Sequence, residues 1–169
     1  QYFSSESMLK AFVIWTMGSL GSVTKPQLVV LIPAILAGIF LAFIKIKDLN
    51  ALLLGEDYAR SLGVSIKASR VIIFLRTSLL AGTITAFCGP IGFIGIAVPH
   101  ICRVLFKTAN HLVLVPAVIL TGSIVMLFSD IVSQLPGMQT TLPINSVTAL
   151  IGIPVIVWMI VRNRKFVQV

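Results

Sequence analysis

Stretches of close to 20 uncharged, apolar residues recur along this chain, and that length is the one a bilayer demands. A helix rises about 1.5 Å per residue, so about 20 residues cross a hydrocarbon core of about 30 Å. LVVLIPAILAGIFLAFI, from Leu28 to Ile44, is the plainest case. Charged side chains make up 11% of the chain and hydrophobic ones 57%. A soluble domain carries about 25% charged residues, which excludes that class. The fold expectation is all-α: a polytopic membrane bundle of about five transmembrane helices.

The five segments run from Leu28 to Ile46, Ser69 to Cys88, Ile91 to Phe106, His111 to Leu135 and Pro143 to Val161. The net charge of +8 is read through them. Of the thirteen Lys and Arg, ten fall on one alternating side: Lys45, Lys47, Arg60, Lys67, Arg70, Arg103, Lys107, Arg162, Arg164 and Lys165. Only Lys10 and Lys25 fall on the other, and Arg76 lies within a segment. Grouped this way, the basic residues are topology signals and not a phosphate-binding patch, so nucleic acid is not an expected partner. The positive-inside rule places the start outside and the C-terminus in the cytoplasm, provided the short third segment counts as a crossing.

The chain does not begin with Met, and QYFSSESMLK lacks the basic opening of a signal peptide. It reads as a piece of a longer protein. Residues 1–26 are expected outside the membrane. Ser4, Ser5 and Glu6 offer a cap and an acidic first turn for a short helix, with Trp15 at headgroup level. GSLGSVTKPQ then makes a turn. Cys88 and Cys102 lie in apolar sequence and suggest neither a disulfide framework nor a zinc site.

Residues 48–70, DLNALLLGEDYARSLGVSIKASR, are far longer than a plain connector needs. Leu49, Leu52 and Leu53 recur at helical spacing before Gly55. A second amphipathic run, with Tyr58, Ala59, Leu62 and Val64, is interrupted at Gly63. Two short helices joined at a glycine would present Glu56, Asp57 and Arg60 to a partner. The pattern fits a docking surface for a cytoplasmic protein, and it also fits an amphipathic loop lying on the membrane.

The third segment is unlike the others. GPIGFIGIAVPHICR, from Gly89 to Arg103, holds Gly89, Gly92, Gly95, Pro90, Pro99, His100 and Cys102 within fifteen positions. These residues, together with WTMGSL (Trp15 to Leu20), LGEDYARSLGV (Leu54 to Val64), SDIVSQ (Ser129 to Gln134) and LPINSVTALIGIPVIVW (Leu142 to Trp158), carry a family resemblance. The chain resembles the C-terminal half of the FecCD-type permeases, the membrane subunits of ABC importers for iron-siderophores, haem and cobalamin. The resemblance implies a ten-helix permease of about twice this length, working as a dimer in the bacterial inner membrane. Separate cytoplasmic ATPase subunits drive it, and an extracytoplasmic solute-binding protein delivers the cargo.

By the resemblance, Leu54, Gly55, Glu56, Asp57, Tyr58, Ala59, Arg60, Leu62, Gly63 and Val64 belong to the helices that couple to the ATPase. ATP binds on those partner subunits, and no GxxxxGK[ST] loop occurs in this chain. No cofactor and no metal are expected on the chain itself. Ile91 to Phe106 is too short to span comfortably, and freed backbone at its breaks is tolerated only where protein or a water-filled cavity encloses it. Gly92 and Gly95 would allow a close helix contact. The resemblance implies that Gly89, Pro90, Gly92, Phe93, Gly95, Pro99 and His100 help shape the pathway or the dimer region.

His100 has no second ligand at helical spacing, so it is expected to bond backbone freed by Pro99. Trp15, Asp130 and Gln134 fall on the outer side, where the resemblance puts the binding protein. Gln134 stands where the family's ADxxAR-like motif has Arg. Thr141 replaces the Glu common before the LPxG motif, and Asn145 replaces its Gly. Arg76 is expected to snorkel towards the cytoplasm or to take a buried structural partner. An intramembrane enzyme is the competing class, yet the chain has no HExxH, no GxSxG and no paired intramembrane aspartates. A purely structural membrane subunit is a further reading, and manganese/zinc ABC permeases fit these motifs less well. Which chelate is carried is not legible in the residues.

Overall fold

The computed structural model describes residues 6–21, 23–134 and 142–164. Ser4, Ser5, Thr141 and Lys165 lie outside the described residues, as do the side chains of Glu6, Arg162 and Arg164. The regular elements are all helical: α1 (Glu6–Met17), α2 (Lys25–Ile44), α3 (Ile46–Leu52), α4 (Glu56–Ser61), α5 (Ile66–Cys88), α6 (Ile94–Phe106), α7 (His111–Ser133) and α8 (Ile144–Arg164).

Four of these, α2, α5, α7 and α8, are long and apolar enough to cross a membrane. The third segment becomes α6, whose 13 residues reach only about 20 Å at 1.5 Å per residue. It starts at Ile94 rather than Ile91 because the chain is still turning at Gly89 and Phe93, both at positive φ. The first span likewise opens earlier than expected, at Lys25 within the stretch read as a turn. Gln27 Oε1 accepts the backbone N–H of Thr24 at 2.8 Å, half of a capping box. Pro26 falls in the first turn, where its missing N–H leaves no bond unmade. The outer segment 1–26 therefore ends at Thr24, and its last two residues belong to α2.

Val29, Phe74 and Leu150 are each more than 70% exposed in this chain. Long helices that leave such side chains uncovered require an apolar surrounding, which a lipid phase or further helices supply.

The chain divides into two compact units. One comprises residues 22–88 and 110–113 and is built on α2 against α5. Gly38 faces Leu80 and the Ala42 carbonyl faces Arg76, so these helices run antiparallel. Arg76 is buried and its Nη1 lies 3.4 Å from the Ala42 oxygen. Of the two fates expected for Arg76, the structure takes the internal partner and not the snorkel.

The other unit comprises residues 1–21, 89–109 and 114–169. Its core joins α6 to α7 through Val98, Cys102, Leu114 and Ala117. Val98 and Cys102 of α6 pack with Leu114 and Ala117 of α7, and Val98 also lies near Gly122. Phe93 meets Gly152 and His100 meets Trp158, so α6 and α8 run the same way. Within this unit the short α6 therefore has the direction that an alternating crossing requires. Cys88 and Cys102 are both buried free thiols.

Prolines interrupt α2 (Pro33), α6 (Pro99), α7 (Pro116) and α8 (Pro154). α5 has none along its 23 residues.

Candidate functional site

The α3–α4 pair is built by backbone devices readable in its own residues. Lys45 is at once the last cap of α2 and the first of α3. α3 closes through bonds from Leu54 N–H to Ala51 and from Gly55 N–H to Leu52. Gly55 then takes φ +105° and ψ 154°, a conformation open in practice to glycine alone, and starts α4 at once. α4 ends in a Schellman motif: Gly63, at φ +81°, donates to Arg60 O and Val64 donates to Ala59 O. Two tight glycine joints fix the chain's direction at both ends of a six-residue helix.

This placement sorts the side chains. Ala59 is completely buried and Val64 half-buried. Leu53, Leu54, Tyr58 and Leu62 are exposed, with Leu54 at 66%. Asp57 and Arg60 are exposed too and stand 3.8 Å apart along the helix. Glu56 has a partner that the sequence did not show. It stays exposed like Asp57 and Arg60, and it also forms an ion pair with Arg70, in the second turn of α5.

A second anchor ties α3 to α5. The carboxylate of Asp48 accepts from Ser69 Oγ at 3.0 Å and pairs with Lys45 Nζ at 3.0 Å. Burial acts to raise the Asp48 pKa, but the hydrogen bonds from Lys45 and Ser69 and the Lys45 charge together outweigh it and hold it below the usual value. Asn50, Asn110 and His111 bond to one another as well. The result is an exposed apolar patch, edged by Asp57 and Arg60, on a helix pair fastened from behind.

The glycine-rich break lies in the other unit. Gly89 is buried at φ +79°, and a Cβ there would land on the backbone oxygen of Trp15. Pro90 O accepts from Asn145 Nδ2 at 2.7 Å, and Gly92 N–H donates to Asn145 Oδ1 at 3.2 Å. Asn145 Nδ2 also lies 3.2 Å from Thr16 O, so this one side chain joins α1, the break and α8. The Asn that replaces the glycine of the LPxG motif is thus a hydrogen-bonding hub. Phe93 caps α6 at φ 63° and ψ −44°, and Ile94 N–H donates back to Gly92 O at 2.7 Å, a tight γ-turn.

Gly92 and Gly95, read as allowing a close helix contact, meet no neighbour among the described residues. A Cβ on either would meet no described atom within 4 Å. Gly92 precedes the helix, so the two glycines share no helical face. The close approaches are instead at Gly89 and at Gly152, whose Cβ would lie 2.5 Å from that of Phe93. His100 meets Trp158 edge-on with ring centroids 6.3 Å apart, where a backbone partner freed by Pro99 was expected. Trp15 is exposed, and its carbonyl accepts from Gly18 N–H. Asp130 accepts from Gln134 Nε2 at 2.8 Å, so the last turn of α7 pairs with the residue just past its end. Among the described residues, no group of three or more His, Cys, Asp or Glu could hold a metal ion.

Sequence reasoning missed Asn50, Asn110, His111 and Asn145 as partners. Their only signal was polar residues at the ends of apolar segments, where caps and turns are also expected.

The model of the FecCD transport family matches residues 1–162. The vitamin B12 import system permease protein BtuC of Klebsiella pneumoniae is 37% identical over 163 residues, which is 96% of this chain and 49% of that protein. The hemin transport system permease protein HmuU of Yersinia pestis is 34% identical over 164 residues, 97% of this chain and 49% of that protein. A solved structure described as an inward-facing conformation of a metal-chelate type ABC transporter matches with a TM-score of 0.80 at 33% identity, covering 94% of this chain and 53% of that one. The chain spans about half the length of the relatives it matches.

Proposed function

The chain belongs to the FecCD transport family, and on that premise we propose that it forms part of the membrane-spanning permease of an ATP-driven importer. The cargo is a metal chelate of the iron-siderophore, haem or cobalamin kind. The names of the relatives, which import vitamin B12 and hemin, support the class without choosing within it. ATP is hydrolysed on separate subunits, and this chain does no covalent chemistry. A second permease copy and an extracytoplasmic binding protein complete the assembly in the bacterial inner membrane. The Lys and Arg distribution supports a cytoplasmic C-terminus.

One observation carries this reading. Leu53, Leu54, Tyr58 and Leu62 are exposed on a helix pair that is itself pinned to α5 by Glu56–Arg70 and Asp48–Ser69. An amphipathic loop lying on the membrane needs no such rigid backing. A surface that receives force does, because a yielding one would absorb the stroke. Trp15, Asp130 and Gln134 belong to the outer side in this scheme, with Gln134 bonded to Asp130 where the family's motif has Arg.

The test is copurification of the full-length permease with its cognate ATP-binding subunit. Leu54→Asp combined with Tyr58→Ala alters only exposed side chains. The pair should abolish copurification while the permease still inserts and elutes normally in detergent. Absence of copurification with the unaltered permease would overturn the importer reading.

A further inference from the structure

α3 is fastened to a third helix by a group that none of the coupling surface uses. Asn50, in α3, accepts through Oδ1 from the backbone N–H of His111 at 2.8 Å. The same oxygen lies 2.9 Å from His111 Nδ1. An amide oxygen can only accept, so in this arrangement His111 carries its proton on Nδ1. Asn50 Nδ2 donates to Asn110 Oδ1 at 2.7 Å. Asn110 Oδ1 also accepts from Leu112 N–H at 2.9 Å, and Asn110 O accepts from Val113 N–H at 3.1 Å. Asn110 is therefore the N-cap of α7, and Asn50 supplies an acceptor to the backbone N–H of the helix's first residue.

The first turn of α7 is thereby held to α3. Residues 110–113 group with the unit built on α2 and α5, whereas α7 from Leu114 onwards groups with the other unit. Pro116 follows shortly after that division. It has no N–H to give the Leu112 carbonyl, so the helix can bend there at lower cost than elsewhere. α4, α5 and α6 separate α3 from α7 along the chain. The amide contact is a shortcut between them.

We propose that Asn50 is a positioning residue that clamps the start of α7 to α3, so that displacement of the α3–α4 pair moves α7 directly, with Pro116 as the bend. The proposal rests on the coupling role given above to α3–α4. The contacts made by Asn50 are between neutral groups in any state where His111 is uncharged. They are not screened by salt as the Glu56–Arg70 pair is. His111 keeps its Nδ1 proton when it becomes a cation, so the contact with Asn50 Oδ1 survives protonation.

The experiment uses the full-length permease, freed of other cysteines and reconstituted in nanodiscs with its ATP-binding subunit. A reporter cysteine replaces Leu120, exposed on α7, or Phe74, exposed on α5. Each reporter carries a thiol-linked spin label attached before reconstitution, and its spectrum is followed with and without ATP and vanadate. In the unaltered protein both labels should change mobility on trapping. Asn50→Ala should cut the change at position 120 by about fivefold or more, the low end of typical coupling between linked sites. The subunit should still copurify and position 74 should still respond. Asn50→Asp keeps both acceptances and loses only the donation to Asn110, so it should retain most of the response. A full response at position 120 in Asn50→Ala overturns the clamp, as does equal loss at both positions, which would make Asn50 a general structural residue. Failure of the coupling reading itself shows in the unaltered protein, as no copurification, and overturns both together.

Discussion

Gly89 approaches Trp15 so closely that the first atom of any side chain at position 89 would fall on the Trp15 backbone oxygen. Gly18 Cα lies 3.2 Å from the same point, so the site is enclosed by backbone that cannot rotate aside. Gly89 also holds φ +79°, where an L-residue is strained. Gly89→Ala should therefore destabilise the full-length permease by about 2 kcal/mol or more, strain and overpacking together. Gly95→Ala, in open space within α6, should be neutral or stabilising by up to about 1 kcal/mol. Thermal stability in detergent, followed by loss of the monodisperse peak, separates the two. Equal behaviour of the variants would refute the close-approach account.

Gly38 poses the same question with a different answer, because its neighbour is a side chain. A Cβ there would overlap the end of Leu80 on α5, and Leu80 can change rotamer. Gly38→Ala should cost about 1–3 kcal/mol as overpacking between α2 and α5. Adding Leu80→Ala should recover part of that cost, giving a favourable interaction term in the double-mutant cycle. A simple sum of the two single effects would show that the helices do not meet here.

Asn145 serves three backbone groups on three segments. Removing it strands the Pro90 and Thr16 carbonyls and the Gly92 N–H. Asn145→Ala and Asn145→Gly should each cost about 1–3 kcal/mol. Hydrogen exchange should speed up in α1 and at Gly92, and not in α2 or α5. Unchanged exchange in α1 would mean that the amide is not what holds that helix.

Asp48 makes the α3–α5 anchor sensitive to acid in a defined direction. Its folded pKa is depressed, so the stabilisation is fully present above the unfolded carboxylate value of about 3.9 and is lost as pH falls through the folded pKa. Acidification from pH 7 to about pH 5 should leave the anchor in place. The stability gap between the unaltered permease and Asp48→Asn should be constant over that interval and close only in stronger acid. A gap that closes between pH 7 and pH 6 would assign the titration to another group.

The α3–α4 pair was legible in the sequence because its devices are local. Gly55 and Gly63 punctuate two short apolar periods, and the joints fall at those glycines. The long spans were legible for a similar reason, since membrane thickness sets their length. What escaped was held by distant partners. Asn50 and His111 are 61 positions apart, and neither betrays the other. The pairing of Glu56 with Arg70 was not legible because it depends on how α4 lies against α5. The glycines of the broken segment were judged by spacing, yet Gly92 precedes the helix, and that start is decided by the γ-turn at Phe93.

Among the described residues, α2, α6, α7 and α8 each carry a proline that removes one rung of their hydrogen-bond ladder, and α5 carries none. The same α5 receives both acidic anchors, through Ser69 and Arg70 in its first turns. Under the proposed coupling, a push on α4 reaches an unbroken rod about 35 Å long at 1.5 Å per residue, while the other helices have a place to flex. In a lever mechanism the stiff member sets how far a stroke travels, and here that member is the one that α3 and α4 grip through their carboxylates.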